Sequence, residues 1–247
     1  MTATTRTPMS PMRKAALAAG LFYIATFAFS IPALGFYDSA INDSNWVHGA
    51  GSHSGVAWGG FFEIITALTG IGTAVAVYPV IKRYAPARAL GFVASRTLEA
   101  AAIFVGVMAL FAMYLMRQDL AGIDATGVDA VMKGLIGVHD GSFLLGPGYM
   151  PAINALCFAT VLYQTRLVPR IIPAIGFVGG PLLFISTTVT LFGGWEQVTT
   201  VSMAMALPIA AWEFSVGCYM TFKGFRSDAV DIDLSEPVRP ALAGVSA

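Results

Sequence analysis

Six long apolar runs constrain this chain more than any other feature of it. They occupy residues 15–37, 56–81, 89–116, 135–165, 171–192 and 201–222. A bilayer core of about 30 Å calls for about 20 such residues in helical form. Lipid offers no partner for open backbone groups, so helix is the spanning form to expect. Composition agrees: the 247 residues are 56% hydrophobic and 11% charged, against about 25% charged in soluble domains. So few charges cannot cover a water-facing surface. The expected fold is an all-α integral membrane protein, a six-helix transmembrane bundle over residues 13–225. A short tail at 1–12 precedes it, and an acidic, proline-containing tail at 226–247 follows, too poor in apolar residues to fold.

Lys and Arg set the direction. The N-terminal tail, the second-to-third and fourth-to-fifth connections and the C-terminal tail together carry eleven of them. The loops on the other side carry two, Arg117 and Lys133. That asymmetry places both termini in the cytoplasm. Arg13 and Lys14 before the first run resemble the start of a signal peptide, but its 23 apolar residues exceed a signal core of about 7–15. It reads as the first membrane helix. The net charge is zero, which gives no footprint for nucleic acid. Cys157 and Cys218 both fall inside apolar runs and make no disulfide framework.

Six ionisable residues interrupt these runs: Glu63, Arg96, Glu99, His139, Asp140 and Glu213. Each costs roughly 2.5–3.5 kcal/mol in hydrocarbon on the lenient insertion scale, so they are expected to pack together. Arg96 and Glu99, three apart, share a helix face. Glu63 lies in a stripe with Gly59, Thr66, Gly70 and Thr73, small and hydroxyl residues that let helices approach. Glu213 stands between Trp212 and Phe214 with no cation near it in sequence. His139 and Asp140 open the fourth run, with Ser142 just beyond. Four carboxylates against one Arg and one His do not balance if all are ionised. Protonation, water or a bound cation must make up the difference.

The expectation is one interior chamber where acids of separate spans meet and a small cationic or protonatable solute binds or crosses. Glu99 and Glu213 would be its mid-membrane acids, Arg96 would hold Glu99, and Glu63, His139 and Asp140 would line the outer approach. The alternative is an accessory or sensory membrane protein whose buried charges are structural. No Ser/His/Asp spacing, His-Glu-x-x-His motif or nucleotide loop appears, so an intramembrane enzyme using His139-Asp140 as a base is the least favoured reading, and no cofactor is named.

Proline and glycine mark expected interruptions. Gly146-Pro147-Gly148-Tyr149-Met150-Pro151 should kink or break the fourth helix, Gly179-Gly180-Pro181 the fifth and Pro208 the sixth. Interrupted spans at mid-depth point to substrate sites in transporters. Residues 38–55 read as a mobile, solvated outer loop. His48 and His53, five apart, fit no strong ligand motif, and no metal is assigned to them. In 118–134, Thr126 is a candidate cap for a short interfacial helix.

The pattern Arg96-x-x-Glu99, the His139-Asp140 pair, the segment Leu167-Val168-Pro169-Arg170 and the pair Trp212-Glu213 resemble the bacterial membrane-protein family called domain of unknown function 4386. The resemblance covers most of residues 11–225. It implies a multi-span protein of the bacterial plasma membrane and no particular activity.

Overall fold

Ser10 opens the first helix by accepting a hydrogen bond from Arg13 N at 3.2 Å, and Pro11 follows where a helix needs no N–H. The computed structural model describes residues 9–120 and 124–226. The expected tails up to residue 8 and from 227 onward lie outside the described residues. Helix α1 spans Pro11–Asn42, α2 His53–Ile81 and α3 Pro86–Gln118. Helix α4 spans Ala125–Phe143, a π-helical segment covers Leu144–Tyr149, and α5 runs Met150–Thr165. Helix α6 is Ile171–Leu191 and α7 is Thr200–Phe222. With α4, the π segment and α5 taken as one, six helices are long and apolar enough to cross a membrane.

Helices α1, α2 and α3 pack in sequence, and α3 also meets α4, the π segment and α5. Then α5 packs on α6, α6 on α7, and α7 returns to α1. Arg13 ties that return: its guanidinium donates to Met220 O at 2.9 Å and Thr221 O at 2.6 Å, satisfying carbonyls that the end of α7 leaves open.

Large apolar side chains cover much of the outside, and small residues allow close helix approach inside. Leu68, Leu98, Met108, Leu145 and Leu207 are exposed, as a lipid-facing surface requires. The α2 stripe of Gly59, Glu63, Thr66, Gly70 and Thr73 is buried throughout. At the α1–α7 crossing a Cβ on Gly20 would lie 2.6 Å from Thr221 N, so only glycine permits that approach.

The proline-rich stretches behave differently from one another. In span four the expected break is a widened turn rather than an unwound one. Pro147 has no N–H to give and its ring crowds the preceding turn, and the π turn makes room. The Gly148 carbonyl accepts from Thr187 Oγ1 at 3.1 Å, so α6 holds the segment from outside. Gly179, Gly180 and Pro181, by contrast, lie in a continuous helix. A Cβ on Gly179 would come 2.5 Å from Ile209 N, so that glycine serves close packing of α6 on α7. Pro208 likewise sits inside continuous α7.

Two loop expectations need correction. The stretch after α1 is pinned, not freely solvated. Trp46 and Val47 are fully buried, and Arg117 lies 4.6 Å over the Trp46 ring while donating to Ala50 O at 3.0 Å. His53 stacks on Tyr114 with ring centroids 4.2 Å apart, and His48 pairs with Asp129 at 2.9 Å. The two histidines turn to different partners. Nor does Thr126 cap a separate interfacial helix. Asp124 is the cap, accepting from Gly127 N at 2.9 Å, and α4 leads directly into span four.

Candidate functional site

Ten residues into α3, roughly 15 Å along its axis, Arg96 is 3% exposed. Its Nη1 donates to Glu99 Oε2 at 3.0 Å, and its Nη2 donates to Glu213 Oε1. Glu213 lies nine residues before the end of α7, about 14 Å by the same rise, so both helices deliver their charges at one level. Glu99 and Glu213 are 12% and 14% exposed. Arg96 therefore bridges two acids, where the sequence suggested one.

Residues not anticipated from the sequence complete this cluster. Asn154 of α5 donates from Nδ2 to Glu99 Oε2 at 2.6 Å. Its Oδ1 accepts from Ser95 Oγ at 2.5 Å. Tyr23 of α1 and Phe92 place rings 5.2 and 5.8 Å from the guanidinium carbon, a cation–π arrangement. Asn154 was findable, since an amide inside an apolar run seeks a partner. Tyr23 carries no such mark. Arg96 Nε has no hydrogen-bond partner among the described residues.

The remaining candidates form a second cluster toward the end opposite the termini. Tyr37 of α1 donates its hydroxyl to Glu63 Oε1 at 3.1 Å. The Tyr37 ring meets His139 edge-on at 5.1 Å. His139 Nδ1 lies 3.2 Å from Asp140 Oδ1, and Ser142 Oγ donates to the His139 carbonyl at 2.7 Å. Glu63, His139 and Ser142 line a cavity of about 10 Å³, room for about one water molecule. Asp140 differs: its side chain is 49% exposed and borders a groove beside α1.

The expected single chamber thus resolves into two. Glu99 belongs to the inner cluster and Gly106 to the wall of the outer cavity, seven residues and roughly 10 Å further along α3. Ala67, Ala100 and Ile103 pack together at this divide, and Ile103 and Val107 form part of the outer cavity's wall. One helix turns charged residues and then apolar ones to the interior, and this divides the polar set. Gly146 and Pro147 lie near both levels: Gly146 packs on Ala102 and the Glu99 carbonyl, and Pro147 lines the outer cavity.

Chemically, the inner cluster holds one guanidinium between two carboxylates. With both acids ionised it carries one net negative charge, and with one protonated it is neutral. It can therefore exchange a proton or accept a small cation. The outer cluster joins a buried carboxylate, a phenol and an imidazole next to a partly exposed aspartate, groups that can hold or pass a proton.

No curated protein and no solved structure matches this chain. A family model does, across residues 18–224, most of the chain and all of the residues described above as site candidates. The protein is a multi-pass membrane protein and belongs to the family described as Domain of unknown function (DUF4386).

Proposed function

We propose that this protein binds, and moves across the bacterial plasma membrane, a small cationic or protonatable solute, with Arg96, Glu99 and Glu213 as its mid-membrane acid site. The observation that carries the reading is the single Arg96 guanidinium bridging carboxylates of two different helices. A buried group of this kind is expensive to keep. Its unequal charge count gives it a chemistry that a simple pair lacks. Glu63, Tyr37, His139 and Asp140 form the approach from the opposite end, the extracytoplasmic one on the Lys/Arg asymmetry.

A structural brace would use the same ion pairs, and Asn154 holding Glu99 favours it to that extent. The two readings part in vesicles. Protein is reconstituted with a trapped pH-sensitive dye, a membrane potential is imposed, and dye response is followed with and without added organic cations. Wild type should support proton or cation flux, and Glu213→Gln, folded to the same extent by size-exclusion profile, should not. Equal flux in the two proteins, or none in wild type above empty vesicles, would overturn the reading and leave the brace.

A further inference from the structure

The groove bordered by Asp140 has a chemistry of its own. It encloses about 790 Å³, within the range of about 300–1,000 Å³ usual for small-molecule sites. Its walls come from the end of α1, from α4 and from the α6–α7 connection. Each wall contributes one carboxylate and one aromatic ring: Asp38 and Tyr37 from α1, Asp140 and Phe143 from α4, Glu196 and Trp195 from the connection. No lysine or arginine lines it. The connection is held to α4 by Gln197 Nε2, which donates to the Asp140 carbonyl at 2.8 Å.

Rings beside carboxylates, with no lysine or arginine and with His139 only at the inner boundary, favour an organic cation. The acids supply long-range attraction, and the ring faces supply close contact that a strongly hydrated inorganic ion does not exploit. The same charge pattern opposes a phosphate, and so opposes an ordinary phospholipid headgroup. Trp195 Nε1 is itself enclosed, so Trp195 lines the groove with its ring and not with its N–H. The Tyr37–His139 contact forms the groove's inner boundary, and Glu63 lies on the far side of Tyr37.

We infer that this groove is a binding site for a substituted or quaternary ammonium cation. The inference takes from the proposed function only that the solute is a cation. The groove shares Tyr37, His139 and Asp140 with the proposed approach but no residue with the inner Arg96–Glu99–Glu213 site, so groove and inner site can fail separately.

The test is calorimetric titration of the full chain in nanodiscs with choline and with its uncharged isostere 3,3-dimethylbutanol. Choline should bind, and the isostere should bind at least tenfold more weakly. Asp140→Asn combined with Glu196→Gln should weaken choline at least tenfold. Both side chains are solvent-accessible, so this variant should fold. Trp195→Phe, which keeps an aromatic ring, should retain most of the affinity, and Trp195→Ala should lose more of it. Equal binding of the neutral isostere, unchanged binding in the Asp140→Asn/Glu196→Gln protein, or absence of choline binding would each overturn the inference. Choline binding retained in Glu213→Gln while flux is lost supports both proposals. Binding retained with flux also unchanged leaves the groove standing and removes the inner acid site.

Discussion

Arg96 on α3 and Glu213 on α7, 117 positions apart in the chain, are hydrogen-bonded to each other inside the bundle. The same guanidinium holds Glu99 one turn along α3. Nothing local in sequence dictates the longer pairing. It comes from the way the bundle closes, with α7 packed on α1 and the rings of Tyr23 and Phe92 set beside the guanidinium.

Removing the cation should be worse than neutralising one acid. Arg96→Met leaves two carboxylates without a counter-charge, and breaking a buried pair from one side costs about 3–5 kcal/mol. Glu213→Gln keeps an acceptor for Arg96 and should cost clearly less. Denaturant unfolding in detergent, read by near-ultraviolet circular dichroism, checks the order. A more stable Arg96→Met than Glu213→Gln protein would contradict it.

Asn154→Leu should destabilise by about 1–3 kcal/mol, because Glu99 Oε2 and Ser95 Oγ both lose a buried partner. Ser95→Ala should cost less, since the Ser95 hydroxyl also reaches the Phe92 carbonyl at 3.2 Å and its removal leaves only the Asn154 oxygen short. Melting temperatures of the two single variants and the double variant settle it. Additive losses would mean that the two side chains do not act as a unit.

Glycine-to-alanine changes at two places on α1 should have opposite signs. At Gly20 the added Cβ would run into α7, so overpacking of about 1–3 kcal/mol is expected. At Gly35 nothing lies within 4 Å of the added atom, and alanine should be neutral or stabilise by up to about 1 kcal/mol through helix propensity. Thermal unfolding of the two variants is sufficient. A Gly20→Ala protein as stable as wild type would show that α1 and α7 can move apart freely.

Arg117→Ala should release the stretch between α1 and α2. That side chain covers Trp46 and holds the Ala50 carbonyl, so amide hydrogen exchange over residues 43–52 should rise while the helices stay protected. His48→Ala should do far less, because the His48–Asp129 pair is largely exposed and exposed pairs contribute about 0–1 kcal/mol. Unchanged exchange in Arg117→Ala would mean that the buried Trp46 alone fixes the loop.

The six spans were legible because length and apolarity are local properties. Glu63 inside its small-residue stripe was legible for a similar reason, since spacing along one helix defines a face. So was the Arg96–Glu99 pair. The division into two clusters was not. It depends on Ala100 and Ile103 reaching the interior between Glu99 and Gly106, and thus on which neighbours α3 meets. The outer loop misled because its glycines, serines and histidines look solvated, whereas Trp46 anchors it and the anchor's partner, Arg117, is distant in sequence. Proline was expected to disturb three spans, and only the one holding Pro147 departs from the α-helix. Pro147 widened a turn, whereas Pro181 was absorbed into a continuous helix packed closely on α7.

The π segment of Leu144–Tyr149 has a mechanical consequence. Span four serves both clusters, presenting His139 and Ser142 on one side of the segment and Asn154 on the other. A wide turn between them sets the azimuth of one half against the other, as an offset in a crankshaft does. Tightening those six residues to ordinary α-helical pitch would swing Asn154 around the axis and carry its amide off Glu99. The wide turn thus fixes, along a single rod, how the amide that grips the deep carboxylate stands relative to His139.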